Sequence, residues 1–130
     1  MTTSTDSRTS DPATLVRRSF DAYRDRDRSA IERLISADFR FTSPYDNAVD
    51  RTTYFRRCWP NAERIKTFTL EHVVPDGDDA VFVTYLARTV EGIEFRNTEY
   101  HRCRGDQIVS VDVYFGASYR DGRFVPQRTD

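Results

Sequence analysis

The sequence predicts a single α+β domain whose sheet of long, curved strands wraps around helices that come before it in the chain. Two observations carry this. Helical periodicity is confined to the part of the chain before Pro60, and strand periodicity takes over from Lys66. The strands follow one another as a meander instead of alternating with helices, which is the α+β pattern. At 130 residues the chain is long enough to bury a core without disulfides or metal.

The first ten residues, MTTSTDSRTS, are polar, lack the apolar segment of a signal peptide and read as a disordered tail, leaving residues 11–130 as the domain. Asp11 followed by Pro12 is an N-cap with proline at the first helical position, where its missing N–H costs nothing. Leu15, Val16, Ser19, Phe20 and Tyr23 then recur at helical spacing. Ser29-Ala30-Ile31-Glu32 reads as a capping box for a short second helix that turns Ile31, Leu34 and Ile35 inward. Phe39 and Phe41 alternate with Arg40 and Thr42 in a short strand that stops at Ser43-Pro44.

The segment YDNAVD reads as a polar loop. Asp50 caps a third helix with Tyr54, Phe55, Cys58 and Trp59 inward, closed by Pro60. A strand from Lys66 to Val74, the turn Pro75 to Asp78, a long strand from Ala80 to Val90 and a turn at Glu91-Gly92 come next. The long strand is apolar on both faces, so both should be covered. A hairpin from Phe95 to Phe115 follows, and the tail after Gly116 is expected to pack on the surface.

Several function classes lose support at once. The formal charge is -1, with arginines spread among acids, which is no nucleic-acid footprint. No run of about eighteen apolar residues is present to span a membrane. Cys58 and Cys103 have no zinc-type spacing, so a reduced cytoplasmic chain without a metal is the simplest reading. There is no glycine-rich phosphate loop and no nucleophile elbow, and no cofactor is expected.

The chemistry concentrates in the hairpin. On its second strand Val109, Val111, Val113 and Phe115 share one face. On its first, the odd positions read Phe95, Asn97, Glu99, His101, Cys103, a polar centre between apolar ends. A three-residue loop, Arg104 to Asp106, would put both odd faces on one side, with Glu99 near Val111; a two-residue loop would invert this. Glu99 and His101 then point into an apolar concavity with Cα atoms roughly 6.5 to 7 Å apart. They can share one proton and serve as acid and base. The alternative is a polar patch satisfied by Tyr85, Asn97 or one another. Asp46, after the proline, is a third candidate, either as an acid at the pocket mouth or as the cap of a local turn. Tyr23, Phe41, Trp59, Val111, Val113 and Phe115 are the expected apolar wall, with Tyr85 and Asn97 orienting ligand oxygens.

The order of elements, FTSPYDN before the third helix, RCWP at its end and FRNTE...RGDQIVSVDVYFG resemble the SnoaL-like branch of the superfamily that includes nuclear transport factor two and ketosteroid isomerase. The resemblance spans about Ala13 to Gly116. It implies a cone-shaped curved sheet, mixed or antiparallel, closed by helices around a hydrophobic pocket, commonly in a homodimer. Its members include isomerases, polyketide cyclases, dehydratases, epoxide hydrolases and non-catalytic binders, so the fold alone does not choose among them. Residue by residue, the place of the isomerase's general-base Asp holds Ser43 and that of its helix-borne Tyr holds Ser19. Its protonated-acid donor has a counterpart in Glu99, and the cyclases' acid on the last strand falls at Val113. The expected function is cofactor-free acid–base chemistry on a small apolar ligand bearing carbonyl or hydroxyl groups. The rival is a ligand- or partner-binding module with no turnover. The outward residues Phe82, Leu86 and Tyr114 are expected to be covered by a second copy.

Overall fold

The computed structural model describes residues 11–126, so the expected polar tail falls outside the described residues. Helix α1 (Pro12–Arg24) starts where the sequence places it, with the Asp11 side chain accepting from the Thr14 N–H at 2.8 Å. Helix α2 (Arg28–Leu34) starts earlier than the capping box implies. Asp27 is its N-cap, accepting from the Ala30 N–H, so the first of two possible oxygen-bearing caps captures the helix end.

The strands are longer and more numerous than expected. β1 (Ile35–Ser43) continues directly from α2, and β2 (Asp46–Asp50) occupies the segment expected to be a loop, antiparallel to β1 at the sheet's edge. Its polar side chains fit because an edge strand has only one neighbour to satisfy. Helix α3 (Arg51–Arg57) is capped by Asp50, and a 3-10 turn, Trp59–Arg64, carries the chain past Pro60.

β3 (Ile65–Asp76) runs through Pro75, which pairs with Val81; β3 is the other edge, where a residue without an N–H breaks no ladder. β4 (Ala80–Thr89), β5 (Ile93–Arg104) and β6 (Gln107–Arg120) follow, and β7 (Arg123–Val125) folds back on β6 through an Asp121-Gly122 turn with both φ angles positive. The expected surface tail is therefore a hairpin arm.

Among the described residues these form one curved, unclosed seven-stranded sheet, order β2-β1-β6-β5-β4-β3 with β7 on the far end of β6. Only the β1–β6 pairing is parallel. Helix α1 packs against α2 and against β3, β4, β5 and β6, closing the concave side.

The core forms two groups. One gathers Leu15, Ile31, Ile35, Phe39, Tyr54, Phe55 and Ile108; the other gathers Val16, Phe20, Ile65, Val81, Val83 and Tyr85. On β4 the odd residues are buried, while of the even ones Phe82 is 43 % exposed and Thr84 and Leu86 are half-buried, so the outer face of this strand is only partly covered in the single chain.

Candidate functional site

A cavity of about 700 Å³ lies on the concave side and draws its wall from both core groups. That size suits a small organic molecule. Its polar centre lies on β5, and the local geometry differs from the expected one in an instructive way. The hairpin loop is two residues, Gly105 and Asp106, with Arg104 paired to Gln107 and Gly105 at φ 61°. A two-residue loop alone would turn Glu99 outward. A bulge restores the parity: Cys103 pairs with Ile108 but Arg102 pairs with Ser110, so Val109 is the extra residue. Ile108, 1 % exposed, takes the core place expected of Val109. His101 then pairs with Val111, and Glu99 with Val113 instead of lying beside Val111. Glu99 and His101 line the cavity, whereas Tyr100 faces away, its ring tilted against that of Phe82 with centroids 4.5 Å apart and its hydroxyl donating to Asp76 at 2.7 Å.

The polar centre is a continuous chain of hydrogen bonds. The Tyr85 hydroxyl donates to Glu99 Oε2 at 2.8 Å, Asn97 Nδ2 donates to the Tyr85 oxygen at 3.1 Å, and the Gly116 N–H donates to Asn97 Oδ1 at 3.2 Å. On its other oxygen, Glu99 Oε1 lies 2.8 Å from His101 Nε2. His101 Nδ1 is buried without a hydrogen-bond partner among the described residues. A proton on Nε2 of a neutral imidazole leaves Nδ1 as a bare lone pair, while the other tautomer would strand a buried N–H. Orphaned donors are the rarer and costlier case, which assigns the Nε2–H tautomer and a carboxylate at Glu99. The Glu99 side chain keeps 14 % of its surface exposed against 4 % for His101. Both line the cavity, and Glu99 is the more open of the two.

Three tyrosines surround this carboxylate. Burial, and then the charge of Glu99, raise the Tyr23 and Tyr85 phenols above their ordinary range; Tyr54 is raised by burial, then by Tyr23 and Glu99. All three remain hydroxyl donors at neutral pH. Tyr85 gives its proton to Glu99 and Tyr23 donates to the Cys58 carbonyl at 3.2 Å. Phe20, Phe68 and Tyr85 pack edge to face around the same end of the cavity, with ring centroids 4.9 to 5.4 Å apart.

Asp46 forms a second polar cluster on the wall. Its Oδ2 accepts from Ser43 Oγ at 2.9 Å and from Cys58 Sγ at 3.8 Å, and the Arg57 guanidinium stands 3.1 Å from Oδ1 without the alignment of a hydrogen bond. This carboxylate is thus paired with an arginine, which among the described residues Glu99 is not. Burial, and then the Asp46 charge, push the Cys58 thiol up to about 12, so it stays protonated and is no nucleophile.

Tyr23, Phe41, Val111, Val113 and Phe115 line the cavity as the sequence implies, and Tyr85 and Asn97 do so while bonded within the chain just described. Trp59 does not: it packs on Tyr23 and Phe55 at 5.3 and 6.3 Å, behind the wall. Tyr54 and Phe68 are wall residues that the sequence reading assigned no ligand role. Tyr54 was legible as an inward residue of α3, but nothing in the pattern says that it approaches Glu99. Among the described residues no group of three or more His, Cys, Asp and Glu is gathered to hold a metal ion, and no helix is long and apolar enough to cross a membrane.

Residues 16–111 match the model of the SnoaL-like domain, which is most of the chain. The chain belongs to the SnoaL-like family. No curated protein matches it in sequence. Solved structures similar to this SnoaL-like chain include a candidate ketosteroid isomerase from Kribbella flavida, at 16 % identity over 92 % of this chain and 93 % of that one, with a TM-score of 0.70. IdmH, a candidate polyketide cyclase from Streptomyces antibioticus, is 19 % identical over 80 % of this chain and 91 % of its own, TM-score 0.69. An NTF2-like protein of unknown function from Cytophaga hutchinsonii is 18 % identical over 88 % and 94 %, TM-score 0.65. At these identities the likeness is one of fold, the α+β cone.

Proposed function

We propose that this SnoaL-like protein moves a proton on a small, largely apolar ligand bearing a carbonyl or hydroxyl group, as an isomerase, cyclase or dehydratase working without a cofactor. The observation that carries the reading is Glu99: a carboxylate facing an apolar cavity, held by Tyr85 and His101, with no Lys or Arg paired to it among the described residues. Such a group takes a proton from a ligand C–H or O–H and returns it to another atom of the ligand. Tyr54, kept as a phenol by burial, donates to the ligand oxygen on which charge develops. His101 fixes the orientation of Glu99 and serves as the second proton carrier of the pair. The names of the isomerase and cyclase neighbours support this class of reaction.

A ligand-holding role without turnover is the second reading. It draws on Asp46, the other carboxylate of the wall, which is tied to Arg57, Ser43 and Cys58 and so leaves Glu99 without a free acidic counterpart.

Native mass spectrometry of the gently purified protein is expected to show a noncovalent small-molecule adduct. If that molecule is recovered unchanged after prolonged incubation, the second reading gains. A bare protein that also fails to bind any of a panel of cyclic ketones, enols and phenols by calorimetry overturns both.

The functional unit we propose is a homodimer in a reducing cytoplasm, where the buried Cys58 and Cys103 remain thiols. Phe82 and Tyr114, 43 % and 60 % exposed, and Val74 present apolar surface on the convex side of the sheet, away from the cavity. Light scattering at micromolar concentration should give twice the chain mass, and Phe82→Asp with Tyr114→Asp should halve it. A stable wild-type monomer contradicts this.

A further inference from the structure

The hydrogen bonds behind Glu99 do more than satisfy buried groups. Each link points the same way: Gly116 N–H to Asn97, Asn97 N–H to Tyr85, Tyr85 O–H to Glu99. In such a chain every bond polarises the next, so the strength of the last depends on the first. Asn97 is 8 % exposed and Tyr85 4 %, so water does not substitute for either. The amide orientation of Asn97 is fixed by its two partners, since a backbone N–H requires its oxygen and a phenol oxygen accepts from its nitrogen.

The first link is anchored where β6 changes course. Phe95 pairs with Ser118 and Asn97 with Phe115, so three steps of β6 oppose two of β5 and the bulge falls at Gly116-Ala117. A Cβ on Gly116 would collide with the backbone carbonyl oxygen of Arg96, so only glycine lets the two strands approach at this point. Beyond the bulge, β6 and β7 form the arm that places Ser118, Val125 and Pro126 on the cavity wall. Pro126 is exposed, which puts the arm at the cavity's mouth.

We propose that Asn97 is a positioning residue that holds Tyr85 on Glu99 and, through its second bond to Gly116, ties the setting of that carboxylate to the seat of the C-terminal arm. This rests on the reading of Glu99 as the proton-transfer group for its catalytic consequence, though not for its physical one. Asn97 itself touches no ligand in this role. It differs from the orienting of ligand oxygens expected of it from the sequence.

Two measurements test it, the first without any substrate. In 1H–15N spectra, Glu99→Gln is expected to move the Gly116 backbone amide and the Asn97 side-chain amide. With Tyr85→Phe already in place, the same change is expected to leave both where they are, because the link is cut. Amides that stay still in the first case, or that move equally in the second, overturn the relay. The second measurement is proton exchange into a bound cyclic ketone. Asn97→Ala is expected to lower kcat about tenfold with KM unchanged, and to lower it no further in the Tyr85→Phe background. An Asn97→Ala effect confined to KM, or one that persists undiminished beside Tyr85→Phe, contradicts a positioning role. Should Asn97→Ala fail to fold, the spectroscopic comparison still decides. A wild-type protein that exchanges no proton into a ketone shown to be bound, yet transmits the Glu99→Gln perturbation, sinks the reading of Glu99 and leaves the relay standing.

Discussion

Phe39→Ala is expected to destabilise the protein by about 3 to 5 kcal/mol, the range for truncating a buried phenylalanine. Phe39 is 1 % exposed and is among the largest fully buried side chains. The site cannot readily collapse around the loss, because Phe39 borders the cavity and the new void would join an existing one. Tyr54 would also lose its edge-to-face partner at 5.2 Å, a contact of about 0.5 to 1.5 kcal/mol beyond area burial. Set against a typical domain stability of about 5 to 15 kcal/mol, this is a large fraction. Denaturant unfolding should show a lower midpoint at unchanged slope, and a shift under about 1 kcal/mol would mean that the wall of the cavity is not packed as described. Because Phe39 and Tyr54 both line the cavity and pack on one another, ligand affinity should fall in the same variant.

Glu99→Gln should leave the fold intact and abolish most of the chemistry. Glutamine keeps the shape and can still accept from the Tyr85 hydroxyl, but it has no proton-accepting charge. Loss of a positioned base is worth about a hundred- to ten-thousand-fold in rate. There is a secondary cost. The new amide N–H would face His101 Nε2, which must then become an acceptor, and the imidazole proton would move to Nδ1, where no partner waits. That adds about 1 to 3 kcal/mol of destabilisation, readable as a modest drop in thermal midpoint. A variant that loses stability but keeps full turnover would make the pair a structural polar patch.

The fold class and the identity of the polar centre were legible because both rest on periodicity. Asn97, Glu99 and His101 alternate with outward residues, and the valines of β6 answer them, so a curved sheet with a polar floor follows. The register was not legible. Loop length alone would have inverted it, and the bulge at Val109 that corrects it leaves no mark in a run of alternating apolar residues. β2 was hidden because edge strands need little apolar character, and β7 because Asp121-Gly122, a strong turn signal, is flanked by strands too short and polar to read. The charge pairing of Asp46 by Arg57 joins residues on different elements and could only be seen in three dimensions. The bond from Gly116 to Asn97 is likewise invisible to any pattern, since it runs between a backbone N–H at a bulge and a side chain on the neighbouring strand.

The central claim is that Glu99 moves protons on a ligand bound in the cavity. It is tested most directly by deuterium incorporation at the carbon next to the carbonyl of a bound cyclic ketone in heavy-water buffer, followed by NMR for the wild type and Glu99→Gln side by side. The wild type should exchange well above the buffer rate, and the variant should fall at least about a hundredfold towards it while still binding the ketone. Equal exchange by the two proteins, or exchange by neither with binding demonstrated for both, would contradict the assignment.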